Sequence, residues 1–413
     1  VSQPKKRIAI VGSGISGIVS AWLLSRQYDI TLFEASSRLG GHTHTVPVQD
    51  SIGQTLGIDT GFIVFNEPNY PNFLKFMSQL DVPYQDSDMS FGYYKHERPF
   101  WYASEFPRGL FSQYRNLFSP AYWHFIFEIL KFNRMALTDL ASGYCQGITL
   151  ERYLTNRRFS THFIDWYLLP MGGAIWSCNS KTILQFPCEA FFQFWKNHDL
   201  FNPGTRPTWK TLQGRGLSYL HAFEKRFEGQ ILRDEPVISI RREQGQVHII
   251  TSKQQATFDA VVLATHADIS LGLLADPSIE ETAALSPWSY SQNTGYLHTD
   301  WTIMPPKRSG WASWLCHDGT VTYDLTRLQR LQTPNSFFLT LNDATRIDPS
   351  KIIQTLAYTH PIFTLESMAT HALFESLNGT QSTYYCGAYQ GFGFHEDGVT
   401  SALRVANHLG CSW

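Results

Sequence analysis

Arg7-Ile-Ala-Ile-Val-Gly-Ser-Gly-Ile-Ser-Gly17, closed by Asp29-Ile-Thr-Leu-Phe-Glu34, decides the fold of this chain. Ile8 to Val11 is a short apolar run suited to a buried parallel strand, and Ile15, Ile18, Val19, Trp22 and Leu23 recur on one helical face. The three glycines between them have separate tasks. Gly12 permits a tight turn, Gly14 leaves room for a pyrophosphate against the backbone, and Gly17 lets the helix pack closely on the strand. Ser13 and Ser16 stand among them, where free N–H groups and the positive end of the helix meet the phosphate. Glu34, followed by Ala35, ends the second strand about twenty residues on, where a carboxylate accepts hydrogen bonds from ribose hydroxyls. The segment reads as strand, turn, helix, strand: a dinucleotide site in a doubly wound α/β domain.

Arg38-Leu-Gly-Gly-His-Thr-His-Thr45 adds a second close backbone approach at Gly40 and Gly41, with Arg38 able to offset pyrophosphate charge. A nicotinamide domain has no general need of this. Here the chain resembles the FAD-dependent oxidoreductases of the flavin-containing amine oxidase superfamily, whose R-x-G-G-x-x-x-T/S stretch is matched by Arg38, Gly40, Gly41 and Thr45. The resemblance implies FAD bound noncovalently, with His42 and Thr43 beside it. Gly57-Ile-Asp-Thr-Gly61 is similar to the turn that brings Thr60 and Gly61 against the flavin, and Val261-Val-Leu-Ala-Thr265 to the strand closing the nucleotide domain. The family also implies backbone contact near Val237 for the adenine, and a final element bringing Phe392, Gly398 and Val399 to the flavin.

One branch is more similar than the rest. Asp59-Thr-Gly-Phe-Ile-Val-Phe-Asn66, Asp88-Met-Ser-Phe91, Ala174-Ile-Trp-Ser177 and Gly387-Ala-Tyr-Gln-Gly-Phe-Gly-Phe-His-Glu-Asp-Gly398 resemble the bacterial predicted NAD/FAD-binding oxidoreductases, many of them encoded near cyclopropane-fatty-acyl synthases. That association implies a lipid-modifying function; it is not read from the residues.

The chain has 413 residues, enough for two domains. The resemblance places an FAD-binding domain at 1–75, 206–268 and 376–413, and a discontinuous α+β substrate domain at 76–205, helical, and 269–375, sheet. Charged residues make up 16% and aromatics 15%, so an unusual share of the apolar content is planar, suited to cores and to pockets for rings or acyl chains. A net charge of −2 gives no case for nucleic acid. Six scattered cysteines read as reduced thiols of a cytoplasmic protein, and Cys386 in an apolar strand pattern as a small buried hydrophobe rather than a covalent flavin anchor. Val1-Ser-Gln-Pro-Lys-Lys-Arg7 runs straight into the first strand, which is expected to leave no room for a signal peptide. No apolar run approaches the ~18 residues of a spanning helix, so the chain is expected to be soluble or, at most, attached to the inner face of a membrane.

Pro68 to Leu80 predicts a helix bridging the two domains, 84–205 a helical region, and Pro236–Ile240 with Val247–Ile250 a hairpin. Phe258 to Thr265 reads as one continuous strand. Strands are expected at 293–298, 311–314, 321–323 and 337–341, with a final helix from Asp397. Phe111 to Leu137 mixes aromatics with Arg115, Lys131 and Arg134; it reads as a helix packed on its own domain, with a helix lying on a bilayer as the alternative.

His42 and His44 lack further ligands, so no metal is expected. His395-Glu-Asp397 resembles a hydrolytic triad only superficially, because no G-x-S-x-G elbow exists; Glu396 and Asp397 are expected to cap the last helix. No residue declares itself catalytic. Lys210, by resemblance, and Tyr389 are the candidates, although exposure is the ordinary fate of a single lysine. A single GxGxxG leaves electrons to come from the organic substrate and pass to oxygen or another acceptor. An apolar substrate, an amine flanked by Tyr389 and Phe392, and a redox-neutral isomerisation or flavin and lipid binding alone all remain open.

Overall fold

The computed structural model describes residues 4–97, 99–202 and 207–413. The expected start at residue 1 and the boundary at 205 and 206 lie outside the described residues. Ile8 to Val11, buried on both faces, forms the centre of a five-stranded parallel sheet. Its order is Gln230–Leu232, Asp29–Phe33, Arg7–Val11, Ala260–Leu263, Thr383–Tyr385. Three separated parts of the chain therefore meet in one sheet. The Ile15–Leu24 helix follows the first strand and packs on the last helix, His395–His408.

The predicted strand from Phe258 to Thr265 is two strands. Gln255–Phe258 completes a three-stranded antiparallel sheet with Val237–Glu243 and Gln246–Thr251, whereas Ala260–Leu263 enters the parallel sheet. Asp259 makes the switch: its N–H donates to Arg7 O at 2.8 Å, and its Oδ2 accepts from Arg7 N at 2.7 Å. Apolar content alone does not say which sheet each half joins. The expected hairpin is present, turning at Gln244 and Gly245, both left-handed.

Helical character begins later than expected. Tyr84–Asp86, Phe91–Lys95 and Phe100–Ala103 are strands, and the first long helix of the region is Pro120–Ala141. Aromatic residues favour strands as readily as buried helices, so density alone misplaced this boundary. A seven-stranded sheet runs Ile352–Ile362, Ser289–His298, Phe338–Leu341, Thr320–Asp324, Trp314–His317, Phe91–Lys95, Phe100–Ala103. Trp311 to Ser313, expected as strand, precede the Trp314–His317 strand, and Ile352–Ile362 was not anticipated.

The Pro71–Gln79 helix buries Phe73, Phe76 and Met77 in the same core as the parallel sheet. A second core gathers Phe132, Tyr153, Phe192, Trp195 and Phe201 beneath the Pro120–Ala141 and Cys188–Asn197 helices. Among the described residues no helix is long and apolar enough to cross a membrane.

Candidate active site

Two cavities meet at a shared set of residues. The first, of about 380 Å³, is bordered by Gly12, Ser13, Gly14, Ser16, Glu34, Ala35, Gly40, Gly41, Val237 and Thr265. A Cβ at Gly14 would meet nothing within 4 Å, because that position opens into the cavity, and one at Gly41 would come within 3.2 Å of Gly14 Cα. Gly12 has φ +98°, and a side chain at Gly17 would overlap Gly12 O. Gly12 and Gly17 therefore shape the turn, while Gly14 leaves the space. The Ile15–Leu24 helix begins there with no side chain capping its N-terminus, so its first N–H groups remain available to an anion. Glu34 closes the cradle. Its Oε2 accepts from Ser13 N at 3.1 Å and Ser13 Oγ at 2.5 Å, and its Oε1 from Ser36 N at 2.9 Å. This donor and acceptor set suits a pyrophosphate on the glycine turn and a ribose on the acid.

The second cavity, of about 240 Å³, is lined by four of the stretches picked out in the sequence: Thr60 to Val64, Met89 to Phe91, Ala174 to Ser177 and Phe392 to His395. None of the described residues lining it is Asp, Glu, Lys or Arg. His42, His360, Pro361, Gly393, Phe394 and His395 border both cavities and form the junction.

The junction histidines are held neutral. Burial lowers His42 to about 4, helped by His266; burial lowers His360 to about 3, helped by His42 and His266; burial lowers His395 to about 3, helped by His42. His42 Nε2 is buried without a hydrogen-bond partner, and the His42 ring stands 5.1 Å from that of His360. His395 stacks on Phe62 at 3.7 Å, and its Nε2 lies 3.0 Å from Thr43 Oγ1. Thr43 thus borders neither cavity and orients His395 instead. Thr60 and Gly61 border the apolar cavity, and Thr60 Oγ1 lies 2.7 Å from Tyr358 OH.

Other expected residues are placed differently. Arg38 borders neither cavity: its Nη1 donates to Gly41 O at 2.9 Å and Thr43 O at 3.2 Å, bracing the glycine loop. Gly398 and Val399 border neither cavity; Val399 is buried, and a Cβ at Gly398 would come within 2.7 Å of Ile15. Helix contact explains that glycine. Lys210 borders neither cavity, with Nζ 2.7 Å from Asp86 Oδ1 and 3.6 Å from Glu67 Oε1. Tyr389 borders only the cofactor-side cavity and Phe392 only the apolar one, so they do not flank one substrate atom. Asp397 caps its own helix, accepting from Phe394 N at 2.9 Å, but Glu396 caps the neighbouring one through Asn72 N at 3.0 Å and Phe73 N at 2.9 Å. Cys386 is buried against Ser20 Oγ at 3.6 Å and borders neither cavity.

The family model for flavin containing amine oxidoreductase matches residues 15–323, well over half of the chain. The chain belongs to that family. Membership implies FAD, and the glycine cradle with Glu34 fits that cofactor. A tryptophan 2-monooxygenase from Pantoea agglomerans pv. gypsophilae is 31% identical over 118 residues, 27% of this chain and 21% of its own length. The chain spans only 8% to 21% of the curated relatives it matches. Among solved structures, cyclohexylamine oxidase from Brevibacterium oxydans IH-35A superposes with a TM-score of 0.70 at 14% identity, over 98% of this chain and 100% of that one. A fatty acid isomerase from P. acnes, described as CLA-producing, superposes with a TM-score of 0.68 at 14% identity, over 99% of each chain. At such identities the likeness shows the fold.

His360, His266 and Glu235 border the cavities but carry no sequence motif. A histidine within a strand gives no local sign of what it faces. His395 lies within the Gly387–Gly398 stretch, but there it reads only as part of an apparent triad.

Proposed function

We propose that this flavoenzyme oxidises an uncharged, largely apolar organic substrate, with a fatty-acyl chain as the class we favour, and passes the electrons to oxygen or another acceptor. The observation that carries this reading is the second cavity, which is walled by aromatic and aliphatic side chains and has no charged residue among those lining it. Such a wall holds a ligand by burying methylenes, at about 0.8 kcal/mol each, and supplies no carboxylate to pair with an ammonium group. The likeness to the branch associated with cyclopropane-fatty-acyl synthases points the same way.

Bound noncovalently, FAD supplies the two-electron acceptor. In our reading Gly12, Ser13, Gly14 and Ser16 hold its pyrophosphate, Glu34 its ribose, Val237 with Pro236 its adenine, and Gly40, Gly41 and Thr265 complete the cradle. The FAD-binding part then comprises 1–75, 206–268 and 376–413. Phe394 and Pro361 exclude water where the cavities join, and the uncharged imidazoles of His42, His360 and His395 offer hydrogen bonds there without adding a standing charge.

The test is anaerobic mixing of the FAD-loaded enzyme with candidate substrates, followed by loss of oxidised-flavin absorbance. Reduction by unsaturated or methylated acyl lipids, without reduction by amines, is the expected result. Reduction by amines alone would make it an amine oxidase. An acyl lipid returned with a moved double bond and no net reduction would make the reaction an isomerisation.

A further inference from the structure

The region around the Pro120–Ala141 helix leaves apolar surface uncovered. Seven of the nineteen exposed large apolar side chains among the described residues fall between Phe106 and Leu130: Phe106, Tyr114, Leu117, Phe118, Trp123, Phe127 and Leu130. Phe118 is 82%, Phe106 80% and Phe127 65% exposed. Trp123, Phe127, Leu130 and Arg134 share one helical face, opposite the buried Tyr122, Phe125, Phe132 and Ala136. Isolated exposed aromatics are ordinary, but a run of this size is a contact surface.

Charge decides what covers it. Arg108, Arg115, Lys131 and Arg134 are exposed in the same segment, and none of them pairs with an acid among the described residues. The single acid between 106 and 138, Glu128, is buried and accepts from Ser160 N at 2.9 Å. A second copy of this chain would bring the same basic cluster against itself across a two-fold axis. A bilayer carrying anionic lipid matches both halves of the surface, aromatic rings at the interface and guanidinium or ammonium groups at the headgroups.

We propose that Phe106 to Arg134 is a membrane-docking face specific for anionic lipid. It is independent of the substrate reading, since docking needs no turnover. The face lies one helix away from the apolar cavity: Phe132 on its inner side packs 5.4 Å from Phe192 and 5.6 Å from Trp195, and Phe194 of that same Cys188–Asn197 helix lines the cavity.

Vesicle flotation tests it, with the full chain and phosphatidylcholine vesicles made with and without phosphatidylglycerol. Binding to the anionic vesicles is expected to exceed that to neutral ones at least tenfold and to fall with salt. Arg115→Glu with Lys131→Glu should reduce it to the neutral level, since each basic group is worth roughly fivefold. Phe118→Ser with Phe127→Ser should weaken binding on the order of tenfold. In the unmodified chain, Trp123 fluorescence should shift to the blue on anionic vesicles, and Trp123→Phe should remove that change. Equal binding to the two vesicle types, or charge reversal without effect, would overturn the proposal. So would a dimer in sedimentation velocity that Phe118→Ser with Phe127→Ser abolishes while vesicles are not bound.

Discussion

The His42 and His360 rings stand 5.1 Å apart between centroids where the two cavities join, and burial keeps both neutral. Two imidazolium ions at that distance in an apolar surround would repel strongly, so protonation of either suppresses that of the other.

From this follows the first prediction. His42→Gln should leave FAD bound, with its absorbance retained, because His42 belongs to the junction and not to the glycine cradle. Substrate-dependent flavin reduction should slow by up to about 10²-fold, the scale of a misplaced substrate when a group at the junction changes shape. The unmodified enzyme should show no histidine ionisation between about pH 5 and 8 in NMR titration of these rings, as their folded values lie at about 4 and about 3. A titration near 6.5 at either ring would contradict the buried, neutral arrangement.

A second prediction separates space from hydrogen bonding in the cradle. Gly14→Val places methyl groups in the open region where a Cβ has no neighbour within 4 Å. Thermal stability without cofactor should therefore change little, while FAD binding is lost. Glu34→Ala removes the acceptor for Ser13 and Ser36 and the proposed ribose partner. Its cost in FAD affinity should be about 1 to 3 kcal/mol, measurable by flavin fluorescence titration.

Much of that cradle was legible because glycine turns, a terminal acid and strand periodicity are local. Gly12, Gly14 and Glu34 are set by chain within a few dozen residues, and the structure brings them together at one cavity. His360 is brought to the site by the Ile352–Ile362 strand of the seven-stranded sheet, a relationship that no window of sequence contains. Lys210 failed for a related reason: its position beside Asp86 depends on pairing between Trp209–Leu212 and Tyr84–Asp86, and a strand 124 residues earlier supplies that acid. The split at Asp259 and the early strands before Tyr114 show the same limit, since apolar and aromatic content predicts burial but not the partner.

The third prediction concerns pH. His42, His44, His198, His298 and His317 are lowered to about 4, and His360 and His395 to about 3, in each case chiefly by burial. Below about pH 6.5 the unfolded chain takes up protons at these positions that the folded chain refuses, so their contribution falls with acid. Asp59, Asp324 and Asp397, raised to about 6 by burial, act oppositely: the folded chain is protonated first, and their contribution is present at low pH and lost as pH rises through about 6. Seven histidines oppose three aspartates, so the urea midpoint should drop between pH 7 and 5. Asp59→Asn removes one opposing group and should steepen that drop. A midpoint that stays level or rises on acidification would contradict the assignment.

The last prediction concerns Arg242, whose side chain is 3% exposed and pairs with Glu281, itself 1% exposed. Its Nη1 and Nη2 meet the two Glu281 oxygens at 2.7 and 2.8 Å, and Nε meets Asp276 Oδ1 at 2.9 Å. Tyr385 OH donates to Glu281 Oε1 at 2.5 Å. Burial works against both charges, yet the Arg242 hydrogen bonds hold the Glu281 carboxyl below its usual range. The cluster joins the Val237–Glu243 strand to the Ile279–Leu285 helix and to Thr383–Tyr385 at the edge of the parallel sheet. Arg242→Met would leave Glu281 buried with Tyr385 and the Ser278 N–H as its remaining partners, a loss expected to cost about 3 to 5 kcal/mol in denaturant unfolding. Adding Glu281→Gln should recover part of it by removing the uncompensated charge, which a mere packing defect would not allow. Because the same strand begins at Val237 and carries one wall of the cofactor cavity, Arg242→Met should also weaken FAD binding although Arg242 does not border that cavity. Stability lost with FAD affinity unchanged would separate the cluster from the cavity wall and refute that coupling.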